Sequence, residues 1–238
     1  YCSTSKGIMK KNLIFTGGIF HPFDETSETL SNIINNFGYK SEITIDIEEG
    51  IKNINEYDLI TFNALRWRML NHEKYIPYID EWQFSLSNKS RNLLEDFIKK
   101  GGKMLAFHTS SICFDDWDGW TKLLGGKWDW DKSFHPPIEK IEVSPIKNHL
   151  LGKSIENFKI KDEVYHNLKI EKNSQPFLSA RSNTTKEDHI IGWTSEYQKG
   201  RTVYNALGHD SESLKNPFMI NIIKNSLLWL SGDEFVRN

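Results

Sequence analysis

Three of the eight histidines, His21, His108 and His209, stand just past short apolar runs that read as β-strands. In an open α/β sheet, ligands sit outside the carboxyl ends of the parallel strands, near the point where strand order reverses. The same rule selects Gly17 and Gly18 after the first run, Asn63 to Trp67 after the third, and Gly208 to Asp210 beside His209. Imidazole changes charge near neutrality and ligates metals, so His108, Glu163 and His209, with His135, form a candidate catalytic set. Three imidazoles and one carboxylate suffice for metal-free acid/base work or for a catalytic divalent metal. The expected metal ligands are His108, His135 and His209. Such a donor set suits Zn, Ni, Fe or Mn, although no HExxH pair fixes two ligands on one helix.

Other positions point to substrate contacts or to plain structure. Gly17-Gly18 reads as a tight turn whose amides can meet an oxyanion or a sugar hydroxyl. Neither GxGxxG nor GxxxxGK[ST] occurs, so no nucleotide cofactor is expected. His108 follows a central strand where related folds place a Ser or Cys nucleophile, but the neighbours in HTSSIC lack the GxSxG or GxCxG setting. Half of the eight tryptophans (Trp117, Trp120, Trp128, Trp130) lie in fourteen residues, interleaved with Asp115, Asp116, Asp118, Asp129 and Asp131. Indole faces stack on sugar C–H faces while carboxylates accept from hydroxyls, so this segment suggests carbohydrate; Trp117 and Trp120 equally suit docking of a short helix on the core. Gly18, His21, Trp67, Trp117, Tyr165 and Asp210 complete the expected substrate-binding set. His149 reads as a turn or cap residue and His166 as a packed or surface one.

The elements that must position these groups follow from hydrophobic period. Strands are expected at Asn12–Thr16, Glu42–Ile47, Asp58–Phe62 and Lys103–Phe107, with helical patterns at Leu30, Ile33, Ile34, Phe37 and over Arg91–Lys100. Strands alternating with helices imply βαβ units and a mostly parallel sheet covered on both faces. Later strand candidates, Glu139–Val143, Glu163–Leu168, Phe177–Arg181, His189–Trp193 and Arg201–Ala206, alternate as antiparallel strands do. A last helix is capped by Asn216, has Pro217 at its first position and ends at Gly232. Residues 1–8 are expected to be a leader outside the fold, and 9–238 one domain without repeat or linker.

Composition removes several function classes. Thirty basic against thirty-two acidic side chains give a net charge of −2, so nucleic acid and anionic membrane are not expected partners. Two cysteines, Cys2 and Cys113, are too few for a disulfide scaffold, and no long apolar run appears. A cytoplasmic protein is expected.

The ordered series GGKMLAFHTSS, LLGG, FHPP at Phe134–Pro137, KNHLLG with FKIKDEVY, and KGRTVYNALGHD resembles the ThuA-like (trehalose utilisation) family over residues 12 to 232. The resemblance implies an α/β, three-layer, flavodoxin-like sandwich similar to class I glutamine amidotransferases, with His108 at the position of the amidotransferase cysteine. It also implies carbohydrate catabolism, with functional coupling to a sugar dehydrogenase that makes 3-keto sugars, and carries the family's recurring polar positions to His108, His135, Glu163 and His209. The leading expectation is therefore an enzyme acting on a sugar or 3-keto sugar by isomerisation, elimination or glycosidic cleavage, and not a glutaminase. The alternative is a non-catalytic sugar-binding or scaffold protein. A homo-oligomer stays open.

Overall fold

The computed structural model describes residues 9–232; the expected leader, residues 1–8, lies outside them. Eleven strands are β1 (Lys10–Gly17), β2 (Tyr39–Thr44), β3 (Leu59–Ala64), β4 (Lys103–Phe107), β5 (Gly126–Lys127), β6 (Glu139–Pro145), β7 (Phe158–Asp162), β8 (Lys169–Ile170), β9 (Gln175–Arg181), β10 (Asp188–Tyr197) and β11 (Gly200–Asn205). The helices are α1 (Phe23–Asn35), α2 (Ile47–Lys52), α3 (Ile79–Trp82), α4 (Asn88–Lys99), α5 (Asp118–Leu124), α6 (Leu150–Lys153), α7 (Ser211–Lys215) and α8 (Pro217–Ser231).

Nine strands form one sheet in the order β2-β1-β3-β4-β11-β10-β9-β6-β7. The first five are parallel neighbours and the last four join antiparallel. The parallel half has the flavodoxin order, with strand order reversing beside β1. Helices α1 and α8 pack together over one face, and α2, α4 and α5 over the other. The expected three-layer α/β sandwich is therefore what the chain forms. β3 is buried at all six positions, as a strand covered on both faces must be. Among the described residues no helix is long and apolar enough to cross a membrane.

Of the strand boundaries that differ from the sequence expectation, two have identifiable reasons. The segment Glu42–Ile47 does not continue as a strand because Asp46 caps α2, its Oδ1 accepting from the Glu49 amide at 2.9 Å, and Ile47 already begins that helix. The strand placed at Glu163–Leu168 lies instead at Phe158–Asp162. There the Asp162 carboxylate takes the Glu163 amide (2.7 Å) out of any ladder and ends the strand. Val164, Tyr165 and His166 are all buried, so the expected alternation of faces across DEVYHN is absent.

Helix α8 forms as its sequence signals require. The Asn216 side chain accepts from the Phe218 amide at 2.9 Å, Pro217 occupies the first turn, and Gly232 closes the end with φ +75°. Met219, Ile222, Ile223, Leu227 and Leu230 are buried along it, each such side chain contributing roughly 1.5–3 kcal/mol. Asn216→Ala is expected to remove the cap, cost about 1 kcal/mol and lower Tm by about 2–4 °C. Calorimetry of the variant checks this.

Candidate functional site

Four chain segments deliver side chains to one point beyond the parallel strand ends. After β1 the chain turns at Gly17 and Gly18, with φ +101° and +146°. A Cβ on Gly18 would stand 2.6 Å from the Leu65 carbonyl oxygen, so only glycine lets this turn lie against the end of β3. The turn presents Phe20 and His21. After β4, His108 takes φ +46°, a left-handed backbone at the junction with the 3₁₀ turn His108–Ile112. Tyr204 holds that junction, its hydroxyl donating to the His108 carbonyl at 2.8 Å. β11 leads to Gly208 and His209, and β7 leads to Glu163.

His108 Nδ1 lies 2.7 Å from the Ala206 carbonyl oxygen, which can only accept. Nδ1 therefore carries the proton, and the Nε2 lone pair faces the other groups. Around Nε2 stand His21 Nε2 at 3.2 Å, His209 Nδ1 at 3.2 Å, Glu163 Oε2 at 3.3 Å and the Tyr165 hydroxyl at 3.3 Å. His209 Nδ1 is also 3.4 Å from Glu163 Oε1. Ligand atoms of His21, His108, Glu163 and His209 all fall within 4.8 Å of one another.

Burial sets the charge states. It would raise the Glu163 carboxyl, but the His108 and His209 contacts outweigh it and hold Glu163 well below the usual carboxylate range. Burial, then the His108 ring, push His21 down to about 3, so it is neutral near pH 7. For His209 burial acts downward, yet the Glu163 hydrogen bond and charge prevail and raise it. Burial raises Tyr165 far up, keeping a neutral phenol.

The spacing has a physical reading. Donors about 2.1 Å from a common ion stand roughly 3.0–3.4 Å apart in octahedral or tetrahedral arrangement, whereas charge-assisted hydrogen bonds close to about 2.7–2.9 Å. The separations of His108 Nε2 from His21, His209 and Glu163, and of His209 from Glu163, fall in the first range. Glu163 Oε2 is buried and accepts no hydrogen bond, a costly state for a carboxylate oxygen unless a cation meets it. The donor set could thus hold a divalent ion through His21, His108, His209 and Glu163. His21, expected as a substrate contact, belongs to this cluster.

His135, expected as a ligand, stands apart: its side chain is 40 % exposed, and Nδ1 lies 3.4 Å from Glu163 Oε1 and 3.1 Å from the Pro136 carbonyl. It lies with His21, Tyr165 and Trp67 on the wall of a cavity of about 310 Å³. Trp117 lies elsewhere, in a neighbouring concavity of about 220 Å³ that shares only Ile112, Trp128 and Trp130 with the first. Asp210 is engaged as the cap of α7, its Oδ1 accepting from Ser213 N at 2.8 Å. Trp120 is a core residue. His149 caps α6 and meets the Thr194 hydroxyl at 2.8 Å, and His166 is packed against Phe134. The hydroxyls after His108 are turned to backbone: Thr109 donates to Ala64, Ser110 to Phe107 and Ser111 to His108. Burial pushes the Cys113 thiol up to about 12, so no nucleophile stands ready in this turn.

Asp162, outside the set expected from the sequence, ties the site together. It is fully buried; Oδ1 accepts from the Glu163 amide at 2.7 Å, and Oδ2 accepts from the Gly208 amide at 2.8 Å and from the Ser213 hydroxyl. The loops carrying Glu163 and His209 are thus fastened to one carboxylate. A signal existed: in FKIKD, Asp162 occupies the inward position of an alternation whose other inward members are Phe158 and Ile160.

The chain belongs to the trehalose utilisation (ThuA) family, whose sequence profile matches residues 11–230. It is similar to the solved structure of a ThuA-like protein from Parabacteroides merdae, with TM-score 0.77 at 14% identity over 97% of this chain and 93% of that one. A ThuA-like protein from Bacteroides uniformis gives TM-score 0.70 at 18% identity over 95% and 93%. A β-galactosidase from Rahnella sp. R3 gives 0.62 at 13% identity, covering 95% of this chain but 32% of that one. At these identities the likeness is one of fold. No curated protein matches the sequence.

Asp162→Asn is expected to set an amide NH₂ against one of the three donors now met by the carboxylate, destabilising the protein by roughly 1–3 kcal/mol. Denaturant unfolding of the variant measures this. An unchanged midpoint would show that Asp162 does not hold the two loops.

Proposed function

We propose that this member of the trehalose utilisation family is an enzyme acting on a sugar, with a 3-keto sugar or 3-keto disaccharide as substrate, and that His21, His108, Glu163 and His209 hold a divalent metal. The observation that carries the reading is the convergence of three imidazole nitrogens and a buried carboxylate within 4.8 Å, next to a cavity of small-molecule size. When bound, such an ion supplies Lewis-acid polarisation of a sugar oxygen.

The remaining chemistry falls to the protein's own side chains. His135 is half exposed on the cavity wall and outside the four-donor cluster, which leaves it free to move a proton. A 3-keto group makes the C2–H of the sugar acidic. His135 takes that proton, and the electron pair left on C2 spreads onto the C3 oxygen, toward which the neutral Tyr165 hydroxyl can donate. When the pair returns, a C1–C2 double bond forms and the bond from C1 to the glycosidic oxygen breaks. The departing oxygen receives the proton from His135. If the leaving group stays, reprotonation at C2 gives isomerisation instead.

Two measurements test this reading. Titration of chelator-treated protein with zinc alone should show one site, with His108→Ala weakening it at least tenfold, or 1.4 kcal/mol, and His135→Ala leaving it within about threefold. Zinc must displace the proton that His209 holds above its ordinary 6.5. Affinity should therefore fall as pH drops through that raised value and level off above it. Incubation of 3-keto-trehalose in D₂O should show loss of the C2 proton signal or release of glucose, abolished in His135→Ala. Sugar binding without exchange or cleavage in any metal-loaded form would instead favour the non-catalytic sugar-binding reading.

A further inference from the structure

The cavity has two unlike halves. Its inner wall carries His21, His135 and Tyr165, whereas its outer wall is a run of aromatic rings in mutual contact. Trp128 meets Tyr165 edge-on at 5.1 Å, Trp130 follows at 6.2 Å, Trp67 stacks near Trp130 at 6.3 Å and 29°, and Tyr75 stands perpendicular to Trp67 at 5.0 Å. Phe20 ends the arc, 6.4 Å from Tyr75.

Several polar groups of this wall are already engaged within the protein, while the buried Trp128 indole N–H has no partner and leaves one donor free. The Trp67 indole N–H donates to Asn71 Oδ1 at 3.1 Å, the Thr109 hydroxyl to the Ala64 carbonyl at 2.8 Å, and the Ser133 hydroxyl to the Asn167 carbonyl at 2.9 Å while it accepts from the Asp129 amide. Lys74 stands over the Tyr75 ring, 4.9 Å from its centroid. A second sugar ring would bring several hydroxyls, more than the Trp128 indole N–H can meet, and an unmet hydroxyl is costly to bury. A flat apolar group asks only for ring faces.

Phe20 supplies an independent sign. It is 58 % exposed and has φ +68°, a left-handed backbone that is unfavourable for a bulky residue. Strain of this kind collects at ligand clamps, and here it holds a phenyl ring at the mouth of the cavity instead of in the core. Trp130, farther along the arc, is 38 % exposed.

We infer that the outer half is a subsite for a planar apolar aglycone, so that among the glycosides this site takes an aryl glycoside is preferred over a disaccharide, with its sugar toward the His/Glu cluster and its aromatic group against Trp130, Trp67 and Phe20. The inference rests on the carbohydrate reading of the inner half. A cavity of about 310 Å³ admits one such molecule.

Calorimetric titration with methyl glucoside, phenyl glucoside and trehalose, each unmodified and as the 3-keto form, tests it. Phenyl glucoside should bind at least tenfold tighter than the methyl compound, about 1.4 kcal/mol, and trehalose should gain less than threefold. In Trp130→Ala and Phe20→Ala, both altered at exposed rings, the phenyl-to-methyl ratio should fall below threefold. Equal binding of phenyl and methyl compounds, a trehalose gain matching the phenyl gain, or a ratio that survives Trp130→Ala would overturn it. So would a dimer in sedimentation that Phe20→Ala dissociates, because the rings would then belong to an interface. If neither methyl compound binds, the carbohydrate reading fails. The arch is then judged on 4-nitrophenol alone, whose binding must be present in the wild type and lost in Trp130→Ala.

Discussion

A carboxylate removed from water must be met by donors or positive charge, and this chain buries two in succession, Asp162 and Glu163, at the end of one strand. Much of the site is the answer to that demand. Asp162 is met by two backbone amides, from the loops that carry Glu163 and His209, and by the Ser213 hydroxyl of α7. Glu163 has the His209 and His135 imidazoles beside Oε1, while Oε2 faces His108 Nε2 without accepting a hydrogen bond. Because β7 is the far edge strand of the sheet and His108 follows a central one, no ladder connects the two; the buried carboxylates do.

The parallel half of the fold was legible because its signals are local. Apolar runs such as NLIFT and KMLAF, helical stripes and the Asn216-Pro217 start each specify an element within a dozen residues. The strand-end rule then brought His21, His108 and His209 to one edge, since it needs only strand positions and the common direction of parallel strands. The antiparallel half was less legible. Asp162 ends β7 through a side-chain contact with its neighbour's amide, and Asp46 ends β2 by capping a helix. In both cases a single side-chain hydrogen bond overrules an alternating pattern.

Site membership was read unevenly for the same reason. Asp210 has the right position, but its carboxylate caps α7. Trp117 follows the right strand, yet the chain has turned away before it, and Trp128 and Trp130 return to the cavity in its place. The aromatic arc is assembled from residues as distant as Phe20, Trp67 and Trp130, none of which shares a period with another. Long-range ring contacts of this kind leave no pattern in the chain.

His108 occupies the turn where folds of this class set a Ser or Cys nucleophile, and it has the left-handed backbone associated with that elbow, φ +46°. In a nucleophile elbow the strain lifts a short side chain clear of the sheet, so that a substrate carbonyl can reach it. Imidazole is longer, and here its Nδ1 proton is tied back to Ala206, which aims Nε2 at three further donors instead of at open solvent. The same backbone geometry that elsewhere exposes a nucleophile therefore makes His108 the centre of a convergent donor cluster. The hydroxyls and thiol that follow it are buried or bonded to backbone. With imidazole at this apex, the turn presents a nitrogen atom to a convergent set from His21, His209 and Glu163 in place of a short nucleophilic side chain.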